Sequence, residues 1–456
     1  MTVSELARVV HGHVEGGLDV RVLGAEVDSR RLREGDLFVA LRGARCDGHA
    51  FVDSALETAA AALVRSDAEL DPPPADRALV RTADPLAAYH ELAAHERQQR
   101  GWTIAAVTGS VGKTTTKDML AALAASQLRT GASSGNRNST LGLPAELLSQ
   151  SGEIEVFVAE TGMSQPGELS LLGSILRPQV VLYTRIAPVH TEFFPDLDGI
   201  VRAKAELIQW LDPDGTLVIN ADDPRQNGFP QNSPARTLRY GTPDADAHID
   251  GLEDRGLLGS RFRLVLPDGE AAIDLALAGQ HQAENLLAAA TAAHALGVSV
   301  DQIAEAAPAL EAPEHRGRVL EIGGGITVVD DSYNASPLAV RRLLELLARA
   351  PGRKVAVIGE MYELGELAVE AHRQAGLEAA AAADLLVAVG GADAGAMAAA
   401  ARDAGMAEDA VLQAEGAEQA AMILRRHLRS GDVVLVKGSR GVGLDRTVAA
   451  LVGEAA

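Results

Sequence analysis

The stretch VTGSVGKTTTKDM, residues 107–119, nearly spells a phosphate-binding loop of the form G-x-x-x-x-G-K-[ST]. Gly112, Lys113 and Thr114 fall in place, but the first glycine of the pattern lands on Val107. Either this is a nucleotide site with a shorter loop, or it is an ordinary tight turn between a strand and a helix. The flanking residues favour the first reading. TIAAV before it reads as a buried strand, and KTTTKDMLAALAAS after it reads as a helix. A strand that runs through a glycine-rich turn into a helix sets backbone N–H groups and the helix N-terminus against an anion. Gly109 and Gly112 permit close approach around Ser110 and Val111. Lys113 can reach outer phosphates, the Thr114 hydroxyl can serve Mg²⁺, and Thr115 continues the helix start.

Carboxylates for such a site are expected from neighbouring strand ends. VFVAETG places Glu160 at the end of one strand, and QVVLYTRIAPVH leads from another to His190. In a doubly wound sheet the carboxyl ends of the strands meet at one crevice, so Glu160 and His190 are expected to face Thr114. The competing reading is a solvated glutamate and a structural histidine. Further strands at GTLVIN, ITVVDDSY, KVAVIGEM, ADLLVAVG and DVVLVKGS alternate with helical stretches, which predicts parallel sheets. PLAAYHELAAHERQQR reads as a helix leaving an N-terminal unit, and LEAPEHRGR reads as a linker. The expected fold class is α/β, with units at 1–98, 99–312 and 313–456. The central unit is a P-loop domain with a mostly parallel sheet, and the last is Rossmann-like.

Composition bounds the function. The chain has 456 residues and a formal net charge of −22, which argues against a general nucleic-acid or acidic-membrane surface. One cysteine, Cys46, excludes an intrachain disulfide and a cysteine zinc cluster. MTVSELARVV lacks a basic stretch followed by an apolar core, so no signal peptide is expected, and a cytoplasmic location is. Only five of the 41 basic residues are lysine: Lys113, Lys117, Lys204, Lys354 and Lys437. A lysine kept against an arginine background suggests work that arginine does not do. Lys204, in GIVRAKAEL, reads first as an exposed helix residue. A carbamate formed on it with CO₂ would instead supply a carboxylate on a long arm. In the third unit, Asp330 and Asp331 end a strand as helix caps or nucleotide contacts, and VKGSRG offers Lys437 and Arg440 to an anion.

Taken together, the segments resemble the Mur ligases, whose shortened loop G-x-x-G-K-T begins here at Gly109. DSRRLREGDLFVALRGARCDGHAF, GNRNSTLGLP, ETGMSQPGEL, HTEFF, RAKAEL, NADD, DDSYNASP, GEMYELGE and VKGSRG follow in family order between about residues 25 and 445. The resemblance implies an N-terminal UDP-binding domain and an ATP-dependent amide ligase of peptidoglycan synthesis that forms an acyl phosphate. DSR…DGHAF and YELGE point to the branch that adds D-alanyl-D-alanine to UDP-N-acetylmuramoyl-tripeptide. The implied catalytic residues are Lys113, Glu160, His190 and Lys204. Thr114 and Glu160 would hold one Mg²⁺, and His190 and carbamylated Lys204 a second. His281, Asn285, Arg318 and Asp331 would contact ATP beside the loop. Ser29, Arg30, Asp47, Gly48 and His49 would meet the UDP end. Asn138, Asn334, Ser336, Lys437, Ser439 and Arg440 would meet the peptide substrates. Family positions usually held by other residues carry Ser139, Arg185, Ala187, Gln282, Ser336 and Glu360. A monomer is expected. The alternatives left open are a sister ligase adding a single amino acid, a P-loop ATPase or kinase, and a catalytically silent scaffold.

Overall fold

The computed structural model describes all residues except 44, 45, 151, 189–191, 195 and 454–456. Three sheets form in chain order. The first has five strands, in the order His13–Gly16, Ala78–Thr82, Ala61–Arg65, Asp36–Val39, Gly24–Glu26. Its outer pair, His13–Gly16 with Ala78–Thr82, is antiparallel and the other pairings are parallel. The helix Pro85–Arg100 leads out of this unit. Asp84 caps it by accepting from Leu86 and Ala87, Pro85 fits the first turn, and Gly101 closes it in the left-handed region at φ 63°.

The central sheet has nine strands. Its parallel part runs Thr130–Ala132, Val156–Glu160, Thr103–Thr108, Val180–Tyr183, Thr216–Asn220, Arg236–Gly241, Ala247–Asp254. Apolar side chains fill both faces of its middle strands, which is why those strands read as continuous apolar runs. Two antiparallel strands, Ser260–Leu266 and Gly269–Leu275, extend it. They lie outside the sequence expectation, although SRFRLVL alternates buried and exposed residues as a half-buried strand should. The third sheet runs Arg318–Ile322, Ile326–Asp331, Val433–Lys437, Lys354–Gly359, Leu385–Val389, Val411–Ala414, with only its first pair antiparallel. Among the described residues, no helix is long and apolar enough to cross a membrane.

The strand Thr103–Thr108 sits between Val156–Glu160 and Val180–Tyr183. The loop after it therefore opens where Glu160, Tyr183 and Asn220 also end their strands. The helix Gln280–Ala295 packs against the loop helix Lys113–Ala125. The third unit supplies the opposite wall.

Candidate active site

Between the central and third sheets lies a cavity of about 470 Å³. Its floor is Ser110–Thr115. Gly109 holds φ 143°, and a Cβ there would lie 1.9 Å from the Thr184 hydroxyl oxygen. Gly112 holds φ 89°, and its Cβ would lie 2.6 Å from Asn285 Oδ1. Both positions therefore need glycine, for the backbone angle and for the space. The Ser110 and Val111 amides donate to the Arg185 carbonyl at 2.8 and 3.3 Å, and Ser110 Oγ donates to the Ala187 carbonyl at 2.9 Å. Gln226 ties this segment inward by donating to the Thr184 carbonyl at 2.6 Å. Buried Asp223, in the NADD turn, accepts from the Ile186 amide at 2.8 Å.

Thr114 Oγ1 donates to Glu160 Oε2 at 2.6 Å, and Asn138 Nδ2 donates to Glu160 Oε1 at 2.7 Å. Lys113 is half-buried, and among the described residues its ammonium reaches only the Ser110 carbonyl, at 3.3 Å. Burial pushes its pKa down, against the pull of Glu160. Lys204 is buried rather than exposed on its helix, and Nζ donates to the Gly109 carbonyl at 2.8 Å. Burial, with Lys113 nearby, drives its pKa well below the usual lysine value. His190 lies outside the described residues. A hydroxyl and a carboxylate at hydrogen-bond distance form a hard-oxygen pair of the kind Mg²⁺ takes alongside phosphate oxygens, so this donor set fits the ion.

Of the residues expected to hold nucleotide, His281, Asn285 and Asp331 line the cavity and Arg318 does not. Arg316 lines it instead, with its guanidinium carbon 4.1 Å from the centroid of the Tyr333 ring. Gly317, at φ 76°, turns the chain between the two arginines, and the strand beginning at Arg318 leaves that residue exposed. Lys437 is buried against Asp331 and also donates to the Asn334 carbonyl at 2.9 Å, so its charge is already matched inside the third unit. Asn334, Ser336, Ser439 and Arg440 line the cavity with Asn138. Ser439 Oγ accepts from the Tyr362 amide at 2.9 Å, and Arg440 Nη1 donates to the Tyr333 hydroxyl at 3.0 Å.

Ser29, Arg30, Asp47, Gly48 and His49 are not among the cavity's lining residues. They sit on the first unit in two short 3₁₀ turns, capped by Asp28 and Asp47. Asp47 Oδ1 lies 2.6 Å from His49 Nδ1, and His49 Nε2 accepts from the Arg65 amide at 3.0 Å. That bond fixes the ring with its proton on Nδ1. Sequence reasoning passed over Arg316 and Tyr333, although both stand in quoted segments. It flagged Arg185 only as a departure from the family. Arg185 lines the cavity with its Nε buried and, among the described residues, without a hydrogen-bond partner.

Burial lowers the His281 pKa to about 4, with Asp331 opposing. The folded state thus holds this imidazole neutral where an unfolded chain, near pKa 6.5, would protonate it. The unfolded state binds more protons between those values, so stability rises with pH across the window and is lost as pH falls from 6.5 toward 4. In His281→Asn, the melting temperature is expected to fall less steeply over that window than in the unchanged protein; an identical slope contradicts the assignment.

Comparisons with known proteins agree with this geometry. Family models described as Mur ligase family catalytic domain, Mur ligase middle domain, and Mur ligase glutamate ligase domain match residues 22–97, 107–293 and 315–440. The chain is 31% identical to the UDP-N-acetylmuramoyl-tripeptide–D-alanyl-D-alanine ligase of Bacillus subtilis, over 99% of this chain and 98% of that protein. The crystal structure of MurF from Acinetobacter baumannii superposes with a TM-score of 0.87 at 28% identity, covering 99% of this chain and 98% of the other. That of MurF from Thermotoga maritima in complex with ADP gives 0.82 at 29%, covering 95% and 98%. Matched in all three units and along nearly its whole length, the chain belongs to the Mur ligase family.

Proposed function

We propose that the chain joins the terminal carboxylate of UDP-N-acetylmuramoyl-tripeptide to the amine of D-alanyl-D-alanine, using ATP, in peptidoglycan synthesis. The observation that carries this reading is the cavity itself. The phosphate loop, whose Lys113 makes no ion pair among the described residues, forms its floor, and the Tyr333 and Ser439–Gly441 turns of the third unit form a wall. A carboxylate is a poor electrophile, and transfer of the γ-phosphoryl group to it releases ADP and leaves an acyl phosphate. The amine then attacks the carbonyl carbon, and the tetrahedral adduct collapses with loss of phosphate and of the amine proton. Two anions, ATP and a carboxylate, must meet in the first step. Lys113, Arg316 and the N-terminus of the helix Lys113–Ala125 would offset that charge. A magnesium ion held by Thr114 and Glu160 would add to this by polarising phosphate oxygens.

In the same reading, residues 1–98 hold the UDP end through Ser29, Arg30 and Asp47–His49. Residues 99–312 hold ATP, with His281 and Asn285 on the side of the base. Residues 313–456 bring Asp331, Asn334, Ser336 and Arg440 to the reactants. Lys204 carries a carbamate: burial favours the neutral amine that reacts with CO₂, and the carbamate nitrogen keeps one N–H for the Gly109 carbonyl. His190 would share a second Mg²⁺ with it. The direct test is phosphate release from ATP and Mg²⁺ with UDP-N-acetylmuramoyl-tripeptide and D-alanyl-D-alanine, omitting each in turn and weighing the product. Release that needs both, with a UDP-muramoyl pentapeptide formed, is expected. Release driven by a single amino acid instead would move the chain to a sister ligase.

A further inference from the structure

A buried ionic cluster joins the first unit to the central one. Arg137 Nη2 pairs with Glu26 Oε2, and Arg137 Nη1 lies 3.1 Å from Glu146 Oε1. Glu26 and Glu146 are each less than a tenth exposed. The remaining acceptor capacity is used. Glu26 Oε1 accepts from the Val27 and Asp28 amides at 2.9 and 3.2 Å. Glu146 accepts from the Ser134 amide at 2.8 Å and the Ser134 hydroxyl at 3.0 Å. The cluster therefore fixes Arg137 from both sides. Its backbone is fixed as well, because a Cβ on Gly142 would lie 3.0 Å from Arg137 Cα, leaving no slack between this segment and the helix Gly142–Leu148.

The next residue is Asn138. Its carbonyl accepts from the Gly162 amide at 2.8 Å, and its side-chain amide donates to Glu160. A continuous path thus runs from the Asp28-capped turn Ser29–Arg31, through Glu26 and Arg137, to Asn138, Glu160 and Thr114. We propose that Arg137 is a positioning residue: anchored by Glu26 and Glu146, it sets the Asn138 amide that orients the Glu160 carboxylate toward a divalent cation. The proposal rests on the reading of Glu160 as a ligand of that cation. Removing the arginine alone strands two carboxylates in a buried site and endangers the fold. Arg137→Met combined with Glu26→Gln and Glu146→Gln removes the cluster without leaving a buried charge.

The test is Mn²⁺ binding to the full chain in the presence of ADP, followed by electron paramagnetic resonance, with melting temperatures taken alongside. Outer partners of metal ligands commonly change affinity by 10–100-fold when removed. The triple variant and Arg137→Met are expected to bind Mn²⁺ about 10-fold more weakly, with Arg137→Lys restoring most of the loss. Glu26→Gln, on the first unit and away from the cation, is expected to weaken it in the same direction. Unchanged Mn²⁺ affinity in the triple variant, with only a lower melting temperature, would reduce the cluster to a structural strut and overturn the proposal. Glu160→Gln serves as the reference. If it too binds Mn²⁺ as the unchanged protein does, the metal reading of Glu160 fails, and this proposal fails with it.

Discussion

Lys113→Ala is expected to lower ATP-dependent phosphate release by about 10³-fold, the loss typical of removing one preorganised group that meets developing charge. The melting temperature should hold or rise slightly. Among the described residues Lys113 makes no ion pair, and a half-buried ammonium that touches one carbonyl carries a desolvation cost in the free protein. That cost is recovered only when phosphate oxygens arrive. Activity and stability should therefore move apart in this variant, which separates a phosphate-binding lysine from a structural one. Calorimetric titration with ADP and stopped-time phosphate assays measure both sides. A variant that keeps full turnover would remove Lys113 from the phosphate site.

Lys204→Ala is expected to lose roughly 10²–10³-fold in turnover, if the carbamate supplies charge stabilisation at the reacting phosphoryl group. Formate or acetate should restore part of it by placing a carboxylate in the space the side chain leaves. Lys204→Arg separates charge from chemistry: it keeps a cation but cannot form the carbamate, so it should be as impaired as the alanine variant. The Gly109 carbonyl loses its donor in Lys204→Ala, and a lower melting temperature is expected from that orphaned acceptor. Full activity in the unrescued alanine variant, or in Lys204→Arg, would sink the carbamate.

Local signals in the sequence carried much of this architecture. The inner parallel strands were legible because strands buried on both faces read as unbroken apolar runs, whereas short or half-exposed ones such as Thr130–Ala132 and Arg236–Gly241 were not; Pro85–Arg100 was legible because its cap, first-turn proline and closing glycine are all local. The scarcity of lysine drew attention to side chains that the fold takes in: Lys117, Lys204 and Lys437 are buried, and Lys113 and Lys354 are half-buried. The reading of Lys204 as a surface residue failed because helical position alone does not say which face packs. The choice between Arg316 and Arg318 was not legible either, since the left-handed turn at Gly317 decides it. The Glu26–Arg137–Glu146 cluster escaped notice for a plainer reason: its first two members are 111 residues apart and nothing local marks them as partners.

The two ends of the central sheet bear on how this chain avoids sticking to itself. An open strand edge is a template for pairing with another molecule. One edge here, Thr130–Ala132, is three residues long and offers little to copy. The other, Gly269–Leu275, is longer, but the helix Val300–Ala306 packs against that strand. Along it, Asp274 is engaged by Arg255, in the turn after the strand Ala247–Asp254, and by Arg261, and Glu270 lies 3.7 Å from Arg263. The strand also carries the acids Glu270 and Asp274, which oppose pairing with the same edge of a second copy. The antiparallel extension, remote from the cavity, thereby finishes the sheet in a form that resists lateral growth and aggregation.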